Sequence, residues 1–328
     1  MRLFNITLII PSNSSGLKLN FFFKNVQKWE CFPREIILIN SHKKKQHLDK
    51  SILFFLKKRK VKLKIIHRPN FYPGAARNTG IQISTYDTLA FLDISTHAPN
   101  GWLQYGYNKI NKDKYSIIRG KTLYVSFTEK EKIIQAATYG FKSLTTLPGT
   151  IVKKNIFNIV GTFLNYIRAG EDAEWFYRIN VHRIPTCVNK KSIEYHGLRG
   201  ITYLSIIRKW FRNYKSANSL TYLNNSRDIY FVVFSILALT LSFNWNFVVY
   251  HWRQDEVFYI PHVTKISIFL IGLLYFIFRG IVIPLKKGTS LSYLFSGALF
   301  KISILSFFLD LTKMLTFCLA KIKKYKIL

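Results

Sequence analysis

Four short apolar segments alternate with helical segments in the first 93 residues of the chain. The apolar segments, which we predict to be strands, are Phe4–Ile10, Glu35–Ile39, Val61–His67 and Thr88–Leu92. The predicted helices between them lie near Gly16–Trp29, near Lys43–Lys60 and after the Pro73-Gly74 turn. Strands that alternate with helices in this way form a mostly parallel sheet with helices on both of its faces. The sequence therefore predicts an α/β fold.

The start of the chain and the cysteines indicate the compartment. The first apolar segment carries Asn5 and Thr7, stops at Pro11 and has no small-residue cleavage pattern, so it is predicted to be a strand rather than a signal peptide. The three cysteines are scattered and form no CxxC pair. This pattern argues against a disulfide framework or a zinc site and is typical of a reducing compartment.

The middle of the chain is predicted to be mixed. The expected elements are a helix at Pro99–Lys109, a strand at Tyr115–Val125, a helix at Glu129–Phe141, a turn at Leu147–Thr150 and a helix that begins at Gly170–Glu174. A basic and aromatic segment follows at Arg199–Tyr214, with Ile206, Trp210 and Tyr214 spaced four residues apart. This spacing predicts an amphipathic helix that lies on a membrane.

The C-terminal third is strongly apolar. Ile229–Tyr250 has no charged residue and Ile266–Leu285 has only Arg279, and each is long enough to cross a hydrocarbon core of roughly 30 Å. Leu291–Ala320 contains three charged residues, so we predict an interfacial helix there. The expected organisation is an α/β domain at 1–222, two transmembrane helices at 228–285, and an interfacial helix with a basic tail at 286–328.

The basic residues set the expected orientation and partners. The formal net charge is +33, which favours an anionic partner such as nucleic acid, an acidic membrane surface or a phosphorylated small molecule, although biased composition explains it equally well. No nucleic-acid-binding module is recognisable, so no nucleic-acid partner is expected. Two spans would place the basic segments before and after them, including Lys321–Lys326, on the cytoplasmic side, whereas a third span would place this tail outside. The catalytic domain is therefore expected to face the cytoplasm.

Three polar groups are candidates for chemistry. Asp93, at the end of a buried strand, can hold a divalent cation that neutralises a diphosphate, or it can form an Asx turn. Arg77 and Asn78 are expected to be exposed one turn into a helix, where an arginine can reach phosphate or remain a solvated surface residue. Glu171 and Asp172 are adjacent carboxylates, which suits a general base or the ordinary acidic first turn of a helix.

Five motifs in order resemble family 2 glycosyltransferases of the GT-A fold. They are Ile6–Ser12, Glu35–Ser41, Pro73–Gly80 (PGAARNTG), Phe91–Leu103 (FLDISTHAPNGWL) and Gly170–Arg178 (GEDAEWFYR). His196 and the following Arg208-Lys209-Trp210 resemble the membrane-associated branch of that family. The resemblance covers roughly residues 4–220. It implies an inverting transfer of a sugar from a nucleotide-sugar donor, with loss of a nucleoside diphosphate.

The resemblance also implies roles for individual residues. Asp172 would be the base, next to Glu171, and His196 would join a metal or diphosphate or be a structural histidine. The implied donor-binding residues are Pro11, Ser12, Asn13, Asn40, Arg77, Asn78, Asp93 and Ser95. On the acceptor or membrane side the implied residues are Trp102, which can equally be a packing residue, Arg208 and Trp210.

Three positions depart from the family pattern. Asn40 replaces the aspartate that reads uracil, Asn13 replaces a frequent tyrosine, and Ser95 replaces the second acid of the DxD motif, which makes bound Mg or Mn doubtful. Basic side chains or His97 are candidates to replace the cation electrostatically. The sequence thus predicts an inner-membrane enzyme of cell-envelope polysaccharide synthesis with a lipid-linked or surface-polysaccharide acceptor. The alternative is a catalytically degenerate scaffold in a polysaccharide-assembly complex.

Overall fold

A computed structural model describes the backbone of residues 2–14, 16–113, 115–218, 220, 227–250, 254–255 and 260–325. Within these ranges it describes the side chains outside 227–235, 239, 249–250 and 321–325.

The N-terminal part of the chain is built around one nine-stranded sheet. Its strands are β1 (Arg2–Ser12), β2 (Cys31–Asn40), β3 (Lys62–His67), β4 (Thr88–Phe91), β5 (Thr96–His97), β6 (Ile117–Tyr124), β7 (Leu144–Lys153), β8 (Thr186–Val188) and β9 (Ile193–Tyr195). The order across the sheet is β3-β2-β1-β4-β7-β6-β9-β5, and β8 pairs with β6. Five of the eight described pairings are parallel, which confirms the predicted mostly parallel α/β sheet.

Strand β7 corrects the expected turn at Leu147–Thr150, because these residues lie inside the strand. The Pro148-Gly149 step fits there because the partner strand β6 is irregular between Ile118 and Gly120. Gly149 has φ +84°, and a Cβ on Gly120 would lie 1.9 Å from the carbonyl oxygen of Pro148. Two glycines therefore let the strand continue through a sequence that predicts a turn.

Helices cover both faces of the sheet, as predicted. They are α1 (Gly16–Val26), α2 (Lys50–Lys58), α3 (Pro73–Ile83), α4 (Trp102–Lys112), α5 (Glu129–Ala137), α6 (Ile156–Val160), α7 (Glu171–Val181) and α8 (Tyr203–Ala217). One apolar core, which includes Phe22 and Trp102, lies on one face, and a second, which includes Phe91 and Trp175, lies on the other. Helix α2 begins later than the predicted Lys43 because His42 and Gln46 form a local turn with Lys44.

The C-terminal part of the chain is helical. Its elements are α9 (Arg227–Tyr250), α10 (Val263–Phe276), α11 (Ile283–Lys286), α12 (Leu291–Tyr293) and α13 (Leu299–Tyr325), with π-helical turns at Ile277–Val282 and Leu294–Ala298. The described residues contain two continuous helices that are long and apolar enough to cross a membrane, Val263–Lys286 and Leu291–Ala320. The second is the segment predicted to be interfacial. The predicted span Ile229–Tyr250 lies partly outside the described side chains, so the number of spans stays a prediction.

Helix α13 joins the C-terminal helices to the catalytic part of the chain. Ile302 and Leu305 of α13 share a buried cluster with Ile206 of α8 and Ile133 of α5. The indole of Trp210 lies 6.4 Å from the ring of Tyr139, so it also packs against protein. The prediction that this face of α8 lies on a membrane is therefore wrong, because α13 and α5 cover it.

Polar contacts also hold the C-terminal helices to the segment after α5 and to each other. The backbone carbonyl of Lys287 accepts from the amides of Phe141 and Lys142 at 2.8 and 3.0 Å, which ties the end of α11 to the segment after α5. Between the two long helices, Asp310 accepts from Arg279 Nη2 at 2.9 Å and from Tyr275 Oη at 3.0 Å. Asp310, one of the charged residues behind the interfacial prediction, is therefore paired within the protein.

Candidate functional site

Helix α3 lies between β1 and the loop that leads into α7. A Cβ on Gly80 would lie 2.5 Å from the side chain of Ile9 in β1, and a Cβ on Gly74 would lie 2.1 Å from the carbonyl oxygen of Leu164. Glycine at these two positions therefore allows a close approach on both sides of the helix. As a consequence Arg77, between them in sequence, is only 4% exposed. The predicted exposure of Arg77 is wrong, and the predicted solvated surface arginine with it.

Arg77 connects two of the predicted motifs. Its Nη1 donates to Glu171 Oε1 at 2.6 Å, at the start of α7. Its Nη2 donates to Asp93 Oδ1 at 3.0 Å, just beyond the end of β4. The guanidinium also lies over the ring of Phe163, 5.7 Å from its centroid. Arg77 thus positions the two acidic segments, and its nearly complete burial leaves little surface for a direct donor contact.

Asn78 holds the loop that leads into α7. Its Oδ1 accepts from the amide of Phe163 at 3.0 Å. Its Nδ2 donates to the carbonyl of Phe163 at 2.7 Å and to Asn165 Oδ1 at 2.6 Å. Both ends of the amide are therefore used to hold this loop, and the expected donor contact of Asn78 stays a prediction.

The carboxylates around Arg77 compete for its charge. Burial raises the pKa of Glu171, Arg77 lowers it and Asp172 raises it, and together they place this pKa at about 7. Burial lowers the pKa of Arg77, but Asp93 and Glu171 outweigh this and raise it above its usual range. Three carboxylates near one guanidinium leave an excess of negative charge. Such perturbed groups are typical of sites that bind ligands or move protons.

Asp172 lies on the open side of this cluster. It is partly buried, and its Oδ1 accepts only a short-range hydrogen bond, from the amide of Ala173 at 2.9 Å. The residue lines a cavity of about 360 Å³ together with Arg119, Thr146 and Phe176. Adjacent positions on a helix point in different directions. Glu171 therefore faces Arg77 while Asp172 faces the cavity.

The ends of β1 and β2 form a second polar edge, where Ser12 and Asn40 are register partners. Asn40 is 1% exposed, and its Oδ1 accepts from the amide of His42. Its Nδ2 and the hydroxyl of Ser41 have no hydrogen-bond partner among the described residues. Unpaired buried donors are costly and indicate a missing partner. Pro11 is half-buried and Asn13 is exposed at the same edge.

One wall of the site was missed by the sequence analysis. The rings of Tyr124 and Tyr139 stack 3.7 Å apart, and Lys209 Nζ lies 6.0 Å from the ring centroid of Tyr139 and 5.8 Å from that of Tyr195. Burial and Arg212 lower the pKa of Lys209, whereas Asp93 raises it. The sequence signal for Lys209 was the Arg208-Lys209-Trp210 triplet. Only Arg208 and Trp210 of this triplet were predicted to be site residues.

The sequence profile described as "Glycosyl transferase family 2" matches residues 7–171, which is half of the chain. This chain belongs to glycosyl transferase family 2. The match begins inside β1, continues through β7, includes Arg77 and Asp93, and ends at Glu171. The chain is therefore a glycosyltransferase, as the five motifs implied.

Two solved structures are similar to this glycosyltransferase. Mannosyltransferase PcManGT from Pyrobaculum calidifontis, in complex with GDP-Man and Mn2+, is similar with a TM-score of 0.52 and 10% identity, over 96% of this chain and 87% of that chain. Residues 1–349 of TarS from S. aureus, in complex with UDP-GlcNAc, give a TM-score of 0.43 and 12% identity, over 92% and 90% of the two chains. A comparison with curated proteins finds no match. The first likeness supports the GT-A fold.

The residues at the DxD position of the glycosyltransferase do not fit a hard-oxygen metal site. Asp93 Oδ1 is already bound to Arg77, and Ser95 offers only a neutral hydroxyl. His196 Nε2 lies 3.0 Å from Glu194 Oε2, so this histidine is engaged elsewhere. Mg2+ and Mn2+ prefer several carboxylate, carbonyl or water oxygens. The predicted metal pair of Asp93 and His196 therefore stays a prediction.

The acceptor-side predictions also change. Trp102 is 1% exposed and packs edge-to-face on Trp29 at 5.8 Å, so the packing alternative applies and a sugar contact is wrong. Trp210 packs beneath α13, whereas Arg208 is exposed to solvent. Arg208 is thus exposed and Trp210 is partly buried, and an acceptor or membrane contact of either residue stays a prediction.

Proposed function

We propose that this glycosyltransferase acts at a membrane and moves a sugar, with inversion, from a nucleoside-diphosphate sugar to a hydroxyl group of a lipid-linked or surface-polysaccharide acceptor. The observation that carries the proposal is the position of Asp172. It is the carboxylate that lines the cavity, next to a buried cluster that holds it in place through Glu171 and Arg77.

In the proposed reaction the carboxylate of Asp172 accepts the proton of the acceptor hydroxyl. The acceptor oxygen then forms a bond to the anomeric carbon on the face opposite the leaving group. The bond from that carbon to the phosphate oxygen breaks, and its electron pair leaves with the nucleoside diphosphate. A single displacement of this kind inverts the configuration and needs one base near the acceptor.

Donor binding is proposed at the carboxyl ends of β1, β2 and β4. Unpaired Asn40 Nδ2 and Ser41 Oγ suit the hydrogen-bonding edge of a base, with Ser12 beside them. PcManGT was crystallised with GDP-Man and TarS with UDP-GlcNAc, which supports a nucleotide-sugar but does not select one. We propose that Lys209 stabilises the negative charge of the leaving diphosphate. Among the described residues, no carboxylate lies within 4 Å of its ammonium group. A pre-positioned cation stabilises charge that develops in the transition state.

Membrane anchoring is proposed from the two long apolar helices, Val263–Lys286 and Leu291–Ala320. Many of their side chains are exposed, for example Phe269 at 68% and Phe300 at 65%. Exposed apolar surface of this extent is typical of a membrane contact. Since α13 also packs against α8, the site would stay at a fixed height above the bilayer. We place the protein in the inner membrane with its catalytic part in the cytoplasm, in agreement with the basic segments of the sequence.

A donor screen on the purified full chain in detergent tests the proposal, with release of nucleoside diphosphate as the readout. We expect turnover with at least one nucleotide-sugar and a loss of about 10²–10⁴-fold in Asp172→Asn. Asp113→Asn is the matched control, since Asp113 pairs with Lys109 at 2.7 Å on the far side of α4 and should keep full turnover. Equal turnover in wild type and Asp172→Asn would remove the base assignment. Donor binding without turnover would favour the scaffold alternative.

A further inference from the structure

Arg119 lines the same cavity as Asp172, and the proposed transfer reaction does not use it. This cavity of about 360 Å³ is bordered by Arg119 of β6, by the first residues of β7 and by one side of α7. Its volume lies at the lower end of the range for small-molecule sites, roughly 300–1,000 Å³. The cavity therefore suits one sugar residue of an acceptor, placed next to the carboxylate of Asp172.

The positive charge of Arg119 is not compensated by an acidic side chain. In the part of the chain that the structure describes, no carboxylate lies within 4 Å of its guanidinium. Its Nη2 donates to the neutral amide oxygen of Asn180, and the guanidinium lies 5.0 Å from the ring centroid of Phe176. By contrast, Arg77 and Arg178 each pair with a glutamate of α7 at 2.6 Å. Arg119 is therefore a cation beside α7 that is held by neutral groups.

Part of the Arg119 guanidinium is also left without a hydrogen-bond acceptor. Its Nε is buried and has no partner among the described residues. Burial lowers the pKa of Arg119, which shows that the protein removes water from the charge. A buried donor without an acceptor is costly, and the cost is greater for a charged group. This edge of the guanidinium therefore lacks an anionic partner that a ligand can supply.

The backbone holds Arg119 at an irregular point of the sheet. Ile118, just before it in β6, pairs with Ile151 of β7, whereas Gly120, just after it, pairs with Thr146 near the start of β7. Arg119 itself has no register partner in β7. Irregular pairing of this kind often occurs next to active sites, where it changes the direction of a side chain. The position of Arg119 in the cavity is thus set by the strands.

We propose that Arg119 binds an anionic group, a carboxylate or a phosphate, on the acceptor sugar that occupies this cavity. A guanidinium suits both groups because its planar edge can donate two parallel hydrogen bonds to them. The acceptor is then an acidic saccharide, and Arg119 distinguishes it from a neutral one. The inference rests on the proposed function, since it assigns the cavity to the acceptor. The competing explanation is that Arg119 only ties β6 to α7 through Asn180 and Phe176.

The test compares glucuronate, glucose 6-phosphate and glucose as ligands of the purified full chain in detergent. Saturation-transfer NMR titrations without donor give the three affinities. Wild type should bind at least one acidic sugar more tightly than glucose, and Arg119→Gln should weaken that binding by about 10- to 100-fold without changing the affinity for glucose. The acidic sugar that binds more tightly shows whether the site prefers a carboxylate or a phosphate.

Two further variants provide the controls. Arg119→Lys should keep part of the affinity for the acidic sugar, because it keeps the charge but not the planar edge. Arg34→Gln removes an exposed arginine of β2 and should bind all three sugars as wild type does. Thermal unfolding shows whether each variant folds. If Arg119→Gln does not fold, the preference of wild type for acidic sugars over glucose decides the question.

The possible outcomes separate this inference from the proposed function. Acidic-sugar binding that depends on Arg119, without turnover of any nucleotide-sugar, would remove the proposed transfer and keep the anion site. Turnover together with equal affinities for the acidic and neutral sugars would keep the transfer and overturn the anion site. Equal acidic-sugar affinity in wild type and Arg119→Gln would also overturn it, and so would loss of stability in Arg119→Gln with unchanged affinity.

Discussion

Glu35 and Glu171 are both buried next to a basic side chain, yet the protein shifts their pKa values in opposite directions. Glu35 receives donors from Lys64 at 2.7 Å, from Thr7 at 2.6 Å, and from the amide and the hydroxyl of Thr85 at 2.8 Å each. Burial alone would raise its pKa, but these donors outweigh it and lower the pKa to about 2. Glu171 receives only Arg77 from a side chain, and its pKa rises to about 7.

The difference lies in how many donors each carboxylate receives. Glu35 has four donors for one charge, so it connects β2 to β3 and to the segment before β4 as a saturated structural group. Around Arg77, three carboxylates share one guanidinium, so the charge is not fully compensated. A saturated carboxylate needs no further partner, whereas an unsaturated group of carboxylates can accept a proton or a cation. The surroundings of Glu35 therefore stabilise the fold, whereas the carboxylates around Arg77 can take part in chemistry.

Replacement of Arg77 by methionine should have the largest effect. It removes both ion pairs and leaves Glu171 buried without a cation, which costs about 4 kcal/mol of unfolding free energy. Arg77→Lys should lose less, since an ammonium keeps the charge but cannot bridge two carboxylates as a guanidinium does. Thermal unfolding in detergent measures the stability of wild type, Arg77→Lys and Arg77→Met. Arg34→Met, on the exposed side of β2, is the control and should change stability by less than about 0.5 kcal/mol.

The second prediction concerns Glu35→Gln. The amide cannot accept four hydrogen bonds as the carboxylate does, so we expect a loss of about 3 kcal/mol. Turnover per folded molecule should stay near that of wild type, because Glu35 is saturated and touches no site residue. A Glu35→Gln protein with normal stability and lost turnover would reverse the roles that the comparison assigns to the two glutamates.

The third prediction is that stability responds to pH with opposite signs at the two sites. Glu35 has a folded pKa of about 2 against an ordinary value of 4.5, so its contribution is present above pH 4.5 and is lost as the pH falls towards 2. Glu171 has a folded pKa of about 7, so its contribution is present below pH 4.5 and is lost as the pH rises through 7. One pKa unit corresponds to about 1.4 kcal/mol. We therefore expect a change on the order of 3 kcal/mol in each direction.

Unfolding midpoints from pH 3 to pH 8 for wild type, Glu35→Gln and Glu171→Gln give this measurement. Glu35→Gln should lose the decline at acidic pH, and Glu171→Gln should lose the decline near neutrality. Parallel profiles for wild type and Glu171→Gln would show that Glu171 stays ionised in the folded state, and the contrast with Glu35 would then disappear.

The sheet could be predicted because its signals are local. Each of the first four strands is a short apolar segment next to a helix, and parallel strands of this kind are buried on both faces. The expected position of Asp93 just beyond β4 follows directly from the strand boundary. The Glu171 helix start was also confirmed, since acidic residues are favoured in the first turn of a helix.

The failures at the site and at α8 involve partners that are distant in sequence. Arg77 was predicted to be exposed because its buried partner Glu171 lies 94 residues further on in the sequence. The apolar side of α8 was assigned to a membrane because an amphipathic pattern does not identify what covers it, and α13 begins more than 80 residues later. Lys209 was overlooked because its partners are the rings of Tyr139 and Tyr195, which no local pattern connects to it.

The last prediction, which has the smallest expected effect, compares Lys64 with Lys209. Lys64 is paired with Glu35 at 2.7 Å, whereas Lys209 lies over aromatic rings, with no carboxylate within 4 Å in the part of the chain that the structure describes. If Lys209 meets the donor diphosphate, Lys209→Met should raise KM for the nucleotide-sugar or lower kcat by about tenfold, which equals about 1.4 kcal/mol. Lys209→Arg should keep most of the activity because it keeps the charge.

Lys64→Met is the matched control for this measurement. It should lower the unfolding midpoint, because it removes the partner of Glu35, and it should leave KM and kcat of the folded protein unchanged. Lys209→Met should do the reverse, since a lysine with no ion pair stabilises the fold little and removal of a partly buried ammonium avoids its desolvation cost. If both variants lowered stability and neither changed the kinetics, Lys209 would belong to the structural class with Lys64, and the diphosphate would have to be bound by other cations.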